Sequence, residues 1–514
     1  MPTRTERDPL GEKNVPAEAY YGIQTQRAIE NFPISGLRAS ATFVVATILV
    51  KRAAAEANVA TGQLDREVGE AIMRAADEIL DGQLRDQFVV DVYQAGAGTS
   101  HNMNANEVLA NRAAELLGER RGTYKRVHPN DHVNMGQSTN DVFPTATRLA
   151  LLLATVAPPP ELDVPPDPRT LEGALPVVVA GSGRALFQQP TLAASARRLA
   201  QALDEKAGAF AHIMKAGRTH LMDAVPITLG QEFSGFAASV ASATDEVERA
   251  ARPLHELNLG ATAVGTGLNA DRAYTEGAAA NLARLTGLDV VPAANAFRVT
   301  QSMGDVAGFS GAVRRLAIEV GKIASDLRLL GMGPRAGLSE ILLPAVQPGS
   351  SIMPGKVNPS VPEMVNQVVF QVMGCDMTVA ISAEHGQLEL NVMMPVIAWN
   401  ALHACTILAN AMDALRRRTI EGLVADEARC RELLDRSTAA ATALSPYIGY
   451  AATAEVAKEA VRTGTAIRDL VLTRGLLSKD EIDRILSVEA MTSPGVVGRT
   501  DASKSVDAVA RQKS

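Results

Sequence analysis

Six aliphatic side chains between residues 313 and 330 recur at alternating intervals of three and four, and this spacing constrains the fold more than any other feature of the chain. They are Val313, Leu316, Val320, Ile323, Leu327 and Leu330. Alternating intervals of three and four place side chains on one stripe of an α-helix that packs against nearly parallel neighbours. A second stripe, over residues 361–381, is rich in valine but has the same helical period. The sequence therefore predicts a mainly α fold with a long central helical bundle.

Domain boundaries follow from the helical stretches and from chain length. Residues 193–216 and 231–257 are amphipathic and long enough for helices of about 20 residues. A chain of 514 residues exceeds the roughly 250–300 residues at which a single core stops growing. We predict three domains: an N-terminal mixed helical domain over residues 1–140, a central long-helix bundle domain over 141–427, and a small C-terminal helical domain over 428–514. The last domain is expected to end in a polar, unstructured tail.

A proline-rich segment over residues 157–190 interrupts the helical pattern of the predicted central domain. It contains eight prolines, which cannot belong to an uninterrupted helix. We therefore predict a solvent-exposed insertion without catalytic chemistry. A subunit contact or a regulatory role is the alternative.

Composition excludes several classes of function. A net charge of −7 disfavours nucleic acid and anionic lipid as partners. The chain has no uninterrupted apolar run of about 18 residues, and residues 1–7 are polar rather than the start of a signal peptide. Its three cysteines lack close pairing, which suits reduced thiols. We expect a soluble, cytoplasmic protein that acts on a small molecule, with no nucleic acid and no membrane as partner.

Polar residues concentrate in four segments at predicted helix ends, residues 96–106, 134–145, 217–231 and 347–363. The first segment provides Thr99, and the second provides Ser138, Thr139 and Asn140. The third provides Thr219 and His220. Helix N-termini and hydroxyl or amide donors favour anions. The same side chains also serve as helix caps, and a lone histidine is more often structural. From the residues alone, both interpretations of these three segments stay open.

The fourth segment contains a dense group of polar side chains over residues 349–359. It provides Ser350, Ser351, Lys356 and Asn358 within ten residues. Five residues separate its first two glycines and a valine follows the lysine, so it does not fit a nucleotide-binding P-loop. Glu363, three residues after a serine, fits a helix capping box as well as a chemical role.

The sequence predicts no metal site and no cofactor. A glycine-rich stretch at residues 265–270 resembles a dinucleotide fingerprint but lacks a surrounding strand–helix–strand pattern. His128 and His132 are separated by a turn sequence, and no paired cysteines accompany them. Neutral donors, one lysine and one histidine suit a small dicarboxylate.

These motifs resemble a known family. The loop at residues 349–359 is similar to the signature loop of the aspartase and fumarase superfamily, and the other three segments are similar to its remaining conserved blocks. Residues 20–32, 91–94 and 386–391 resemble the aspartases more than the class II fumarases. The proline-rich segment has no counterpart there, and histidine at position 220 occurs in fumarases and in only some aspartases.

The resemblance implies a three-domain fold whose central helices form the core of a homotetramer, with each active site shared between three subunits. It implies the reversible anti elimination of ammonia from L-aspartate to give fumarate through an enediolate (aci-carboxylate) intermediate. A class II fumarase, or another lyase that releases fumarate, is the alternative. A structural protein that has kept the fold and lost catalysis is a third possibility, which the retention of Ser350, Lys356, Asn358 and His220 argues against.

The resemblance also implies roles for the site residues. Thr99, Ser138 and Thr139 would hold the β-carboxylate, Lys356 and Asn358 the α-carboxylate, and Asn140 and His220 the leaving amine. Thr219 and Ser351 complete the substrate-binding set. Ser350 is the expected base, on a loop that closes over the substrate and must stabilise an alkoxide. The rival base is His220 activated by Glu363.

Overall fold

A computed structural model of the chain describes residues 2–155 and 191–496. The predicted insertion at 157–190 lies outside the described residues, as does the tail beyond residue 496. The chain divides into two compact units. The first unit comprises Met1–Arg197, Ser242–Gly321 and Val365–Asp413; the second comprises Arg198–Ala241, Lys322–Met364 and Ala414–Ser514. The three domains proposed from the sequence stay a prediction.

The described residues are mainly helical, as predicted. In chain order the helices are α1 Ile23–Asn31, α2 Ala41–Ala60, α3 Arg66–Leu80, α4 Thr99–Leu116, α5 Thr139–Thr155, α6 Leu192–Ala209, α7 Leu229–Ala251, α8 Arg272–Thr286, α9 Ala296–Gln301, α10 Gly304–Leu330, α11 Ser360–Glu384, α12 Met394–Leu415, α13 Glu427–Arg436, α14 Ala441–Ile448, α15 Tyr450–Thr463, α16 Ile467–Thr473, α17 Lys479–Ile485 and α18 Val488–Thr492. The strands are β1 Thr3–Asp8, β2 Gly11–Pro16, β3 Met214–Thr219, β4 Met222–Thr228, β5 Glu256–Leu257, β6 Val291–Pro292, β7 Ile341–Leu342 and β8 Val424–Ala425, and they form only two-stranded sheets.

Helix α10 confirms the packed helix that the spacing of six aliphatic residues over 313–330 predicted. All six aliphatic positions of its stripe are at most 4% exposed. Burial of one such side chain contributes about 1.5–3 kcal/mol, so the stripe accounts for a large part of what holds this 27-residue helix in place. The regular spacing was therefore a reliable sign of a packed helix.

Helix α2 is the centre of the first unit. It packs against α3, α5 and α8, and most of its 20 residues are buried. Its start is capped, because the backbone N–H of Phe43 donates to the Ser40 hydroxyl at 3.2 Å. Among its small and aliphatic side chains lies Lys51, which is fully buried. A fully buried lysine requires polar partners nearby.

Helix α11 is valine-rich and helical, as predicted, but its apolar residues lie on more than one face. Val365, Val369 and Val372 are buried. Four large apolar side chains on its other side are 37% to 66% exposed: Phe370, Met373, Met377 and Ile381. The helix is long and apolar enough to cross a membrane by length and composition alone, and 39% of its apolar window is buried. Core helices of soluble proteins pass the same test.

The predicted capping box at the start of α11 is wrong. The Ser360 hydroxyl donates to the carbonyl of Asn358 at 3.2 Å, and the backbone N–H of Glu363 donates to the carbonyl of Pro359 at 3.1 Å. The serine is the first helical residue, so its side chain turns back to the preceding loop. This leaves the Glu363 carboxylate without the capping role that the sequence suggested.

The segment 217–231 also differs from the prediction of a loop between long helices. Helix α6 ends at Ala209, and the chain then forms the antiparallel hairpin β3–β4. Thr219 pairs with Met222, so His220 and Leu221 are the two-residue turn. The sequence pattern did not predict this hairpin because the strands are short and β3 carries lysine, glycine and arginine.

Candidate active site

The first turns of α4, which begins at Thr99, contact the start of α5 in the first unit. Helix α4 begins at Thr99, after Gly98 in a left-handed conformation with φ +87°. In the next turn, the Asn102 amide Nδ2 donates to the Thr139 hydroxyl at 3.1 Å. The first polar segment therefore lies inside the first turns of α4 rather than before the helix, and it contacts the start of α5.

The turn before α5 is held by a buried carboxylate. Asp141 accepts the backbone N–H of Ser138 at 2.9 Å on one oxygen, and those of Gly260 and Thr262 at 3.0 and 2.9 Å on the other. Burial raises the pKa of Asp141 to about 7, against the effect of these three donors. Asn140 is fixed in turn, because its Nδ2 donates to the carbonyl of Ala263 at 2.8 Å. The backbone around Thr139 is therefore preorganised.

Lys51, which contacts the segment just before α5, is a buried residue that the sequence analysis did not identify. Its Nζ donates to Asn134 Oδ1 and Gln137 Oε1, both at 2.9 Å. Burial lowers the pKa of Lys51 to about 7, and the nearby charge of Asp141 opposes that shift. The available signal was a lysine within the apolar sequence from Phe43 to Val50 and the alanines that follow.

His220 lies at the tip of the β3–β4 hairpin in the second unit. Both turn residues have positive φ, +56° for His220 and +60° for Leu221, which is unfavourable for residues other than glycine and typical of functional sites. The Arg218 guanidinium just before the turn binds the buried carboxylate of Glu340 through two contacts of 2.9 and 3.0 Å. Thr219 and His220 are both exposed. The hairpin thus presents a histidine on a rigid but strained turn.

The loop at 349–359 lies in the second unit and is stabilised from within. The backbone N–H groups of Ile352 and Met353 both donate to the Ser350 hydroxyl oxygen, at 3.2 and 3.0 Å. Gly349 donates its N–H to the carbonyl of Lys356 at 2.7 Å, and Asn358 Nδ2 donates to the Gly349 carbonyl at 2.8 Å. A Cβ at position 349 would lie 2.7 Å from the Lys356 carbonyl oxygen, so only glycine fits at this position of the loop.

Two N–H donors on one hydroxyl oxygen stabilise negative charge there. A serine hydroxyl is a poor base until such donors favour its alkoxide. Ser351 and Lys356 are exposed beside it. The loop therefore contains an oxygen suited to proton abstraction and a nearby cation suited to a carboxylate.

Four of the predicted residues belong to the first unit: Thr99, Ser138, Thr139 and Asn140. The other seven belong to the second unit: Thr219, His220, Ser350, Ser351, Lys356, Asn358 and Glu363. Within residues 2–155 and 191–496 no hydrogen bond joins Glu363 to His220, so activation of one by the other stays a prediction. In the same described ranges no three His, Cys, Asp or Glu side chains are grouped as metal ligands.

Comparison with known proteins identifies the family. Residues 11–157 and 185–374 match the family described as "Lyase", and residues 441–493 match "Fumarase C C-terminus". The stretch between the two ranges of the first match, 158–184, falls within the proline-rich segment. The match covers more than half of the chain, and it includes every predicted site residue.

Named relatives agree with this match. An "Aspartate ammonia-lyase" from Bacillus sp is 45% identical over 496 residues, which are 96% of this chain and 99% of that protein. A "Fumarate hydratase class II" from Brucella suis is 44% identical over 492 residues, 96% of this chain and 99% of that protein. Further relatives with the first name are 43% to 47% identical.

A solved structure shows the same fold. It is a "fumarate lyase:delta crystallin from Brucella melitensis bound to cobalt", with a TM-score of 0.86 and 46% identity over 96% of this chain and 100% of that chain. The family expected from the four polar segments is thereby confirmed: the chain belongs to the lyase family that contains aspartate ammonia-lyases and class II fumarate hydratases.

Proposed function

We propose that this protein catalyses the reversible elimination of ammonia from L-aspartate to give fumarate. The observation that carries the proposal is the Ser350 hydroxyl, whose oxygen accepts two backbone N–H groups within a loop that also contains Lys356. The relatives named aspartate ammonia-lyase support the choice of leaving group. The agreement of loop chemistry with family membership makes an ammonia-lyase the best-supported function.

The chemistry begins with removal of a weakly acidic proton from Cβ. The Ser350 alkoxide takes this proton, and the electron pair of the broken C–H bond moves into the β-carboxylate to give a dianionic enediolate. This step is feasible only if donors already point to the second negative charge. Thr99, Ser138 and Thr139 are the proposed donors, and the buried network around Asp141 holds the backbone N–H of Ser138 before substrate binds.

The enediolate then collapses. Its electron pair forms the C=C bond while the C–N bond breaks, and the protonated amine leaves as neutral ammonia without needing a further proton. Lys356 and Asn358 are proposed to hold the α-carboxylate, while Asn140 and His220 contact the amine. A hydroxyl leaving group would instead need an acid to protonate it. The amine is therefore the leaving group that makes the smaller demand on this site.

The deciding experiment measures fumarate by its ultraviolet absorbance with L-aspartate and with L-malate as separate substrates. Turnover of L-aspartate at a kcat/KM at least about 10²-fold above that of L-malate is expected. Turnover of L-malate alone would replace the proposal by the class II fumarase alternative, which the 44% identical hydratase favours. If purified protein with the mass of a tetramer turns over neither substrate, the chain is a member of the family that lacks this activity.

A homotetramer with each active site shared between three subunits is part of the proposal. It is supported by the stripe on α11, where Phe370, Met373, Met377 and Ile381 are spaced by three or four residues and leave apolar area exposed. Exposed apolar stripes of this kind commonly mark subunit contacts. We propose a second copy of the chain, rather than a membrane or a nucleic acid, as the partner of this surface.

Complementation tests shared sites. Ser350→Ala and Thr139→Val chains, each of strongly reduced activity, are mixed after denaturation and reassembled. They are expected to recover about a quarter of the wild-type sites, because both intact segments then meet by chance from different chains. No recovery above either variant alone would place both segments in one chain. Light scattering gives the mass of each assembly.

We also propose a cytoplasmic address. Cys375, Cys405 and Cys430 are buried free thiols, and burial raises the pKa of both Cys405 and Cys430 to about 12. Thiols that are both buried and protonated suit a reducing compartment. Cell fractionation with an antibody against the intact chain tests the address; recovery in a secreted or membrane fraction would exclude it.

A further inference from the structure

Lys51 is a buried lysine without a role in the chemistry described above. It lies in the middle of α2, and its side chain is fully buried, so it cannot touch a substrate. Its two hydrogen bonds go to Asn134 and Gln137, which immediately precede the segment that contains Thr139. A buried charge is costly unless it is well paired, so its presence beneath this segment needs a reason.

A chain of hydrogen bonds joins this lysine to a proposed donor of the site. The Asn134 oxygen that accepts from Lys51 also accepts from Nδ2 of Asn102 and of Asn106, both at 3.2 Å. The second proton of Asn102 Nδ2 goes to the Thr139 hydroxyl oxygen at 3.1 Å. Because this oxygen accepts from Asn102, the hydroxyl hydrogen of Thr139 is left to donate elsewhere.

The cluster is not optimised for stability. Within residues 2–155 and 191–496, Asn102 Oδ1, Asn106 Oδ1 and the Tyr274 hydroxyl are buried and have no hydrogen-bond partner. Each such group costs free energy that an apolar side chain of similar shape would not. The network therefore supplies something that an apolar core would not supply, and the hydroxyl of Thr139 is the nearest group with a proposed function.

The charged and titratable groups around Lys51 determine the electrostatic field at its side chain. Asp141 on α5 is the opposing charge, and its carboxylate is already occupied by three backbone N–H donors. On α4, burial and the charge of Lys51 hold the pKa of His101 at about 3, which keeps that ring neutral. On α8, burial raises the pKa of Tyr274 well above its usual value. Lys51 is thus the basic member of this cluster, and its acidic counterpart Asp141 is tied to the backbone.

We propose that Lys51 is a positioning residue for the dianionic intermediate. It fixes Asn134, and through it Asn102, so that the Thr139 hydroxyl donates toward the substrate, and its ammonium form places a positive charge beneath this segment when the second negative charge develops. The inference rests on the proposed function, since it assumes an enediolate at this position. A group that acts only on developing charge lowers kcat and kcat/KM together when removed and leaves ground-state binding unchanged.

The test compares Lys51→Met with wild type in the assembled enzyme. We expect kcat with L-aspartate to fall by about 10- to 100-fold, while KM and the inhibition constant of succinate change by less than about 3-fold. The nitronate form of 3-nitropropionate, which has the charge of the enediolate, is expected to lose affinity by the same factor as kcat.

Arg148→Met is the matched control. Arg148 is equally buried in the same unit and forms an ion pair with Asp305 at 2.8 Å, but none of its hydrogen bonds reaches the segment 134–141. It should lower the unfolding midpoint at least as much as Lys51→Met does, and leave the ratio of nitronate to succinate affinity at the wild-type value. A merely structural role for Lys51 would make the two variants behave alike.

Three results would overturn the inference: kcat of Lys51→Met within about 3-fold of wild type, an equal loss of nitronate and succinate affinity, or the same ratio in both variants. If Lys51→Met does not assemble, Asn102→Leu is measured instead, because it interrupts the chain of hydrogen bonds without removing a charge. A ratio of nitronate to succinate affinity that is unchanged in Asn102→Leu also overturns the inference. A wild type that binds both analogues but does not turn over L-aspartate contradicts the proposed function instead, and the ratio still decides the role of Lys51.

Discussion

Two regions of the molecule that contain predicted site residues are built in opposite ways. The segment 134–141 in the first unit is tied by buried side chains to α2, to α4 and to residues 260–262. The loop 349–359 in the second unit is held by hydrogen bonds among its own residues, and its apolar side chains Ile352 and Met353 are 83% and 47% exposed. One region is preorganised by the protein core, and the other is largely exposed to solvent.

The difference matches the work proposed for each region. Stabilising a dianion requires donors that need no reorganisation when charge develops, and a buried network provides them. Generating an alkoxide requires that water leave, and an exposed loop achieves this only when it closes over a bound substrate. We therefore expect changes in the buried segment to affect transition-state stabilisation, and changes in the loop and hairpin to affect proton removal and closure.

The largest effect is expected from the exposed loop. Ser350→Ala should lower kcat by about 10²- to 10⁴-fold, because it removes the proposed base, and should leave succinate binding and the mass of the assembly unchanged. The measurement is the initial rate of Ser350→Ala and of His220→Gln under the same conditions, and His220→Gln should retain more activity. If Ser350→Ala is the more active of the two, the base role passes to His220.

The buried segment should give the next largest effect. Thr139→Val keeps the shape of the side chain and removes one donor, so kcat should fall by about 10²-fold with little change in KM. The control is Thr147→Val in the same helix, whose hydroxyl donates only to the Phe143 carbonyl at 2.9 Å. A rise in KM without a fall in kcat would contradict preorganisation for the transition state.

The next effect concerns the acid stability of the first unit, which contains His101 beside the buried Lys51. Burial and Lys51 hold the pKa of His101 at about 3, below its usual 6.5. Because the folded value is depressed, the stabilisation is present above pH 6.5 and is lost as pH falls from 6.5 toward 3, by up to about 1.4 kcal/mol per pH unit. His101→Gln should therefore show a shallower decline of the free energy of unfolding below pH 6.5 in denaturant titrations.

The comparison for this variant is His385→Gln, because the side chain of His385 is 60% exposed. Its decline with pH should follow that of wild type. Equal slopes for His101→Gln and wild type would mean that another group controls the acid sensitivity of the first unit.

The smallest effect is expected at the hairpin turn. Leu221 is 76% exposed with φ +60°, so Leu221→Asn should raise the free energy of unfolding by about 0.5–1 kcal/mol by relieving strain. Leu10→Asn is the control, since Leu10 is 81% exposed without a positive φ. A change in kcat that accompanies the gain in stability would show that the strained turn positions His220; destabilisation would show that the Leu221 side chain is needed for packing.

The sequence alone determined the helices with regular periods and the residue types of the candidate site. The stripe of α10 and the density of polar groups at 349–359 are local patterns, and a period of three and four or a run of donors keeps its meaning whatever the rest of the chain does. The roles assigned from family resemblance stay predictions.

Only the tertiary structure decided which side chains meet. Asn102 contacts Thr139, and Lys51 contacts Asn134 and Gln137, across intervals of more than 35 residues that carry no periodic signal. The burial of His101 and the turn at His220 likewise depend on packing rather than on local sequence. Local free energies select helices, but the partners of a buried charge are chosen by the packing of the whole unit, because burial without them is too costly.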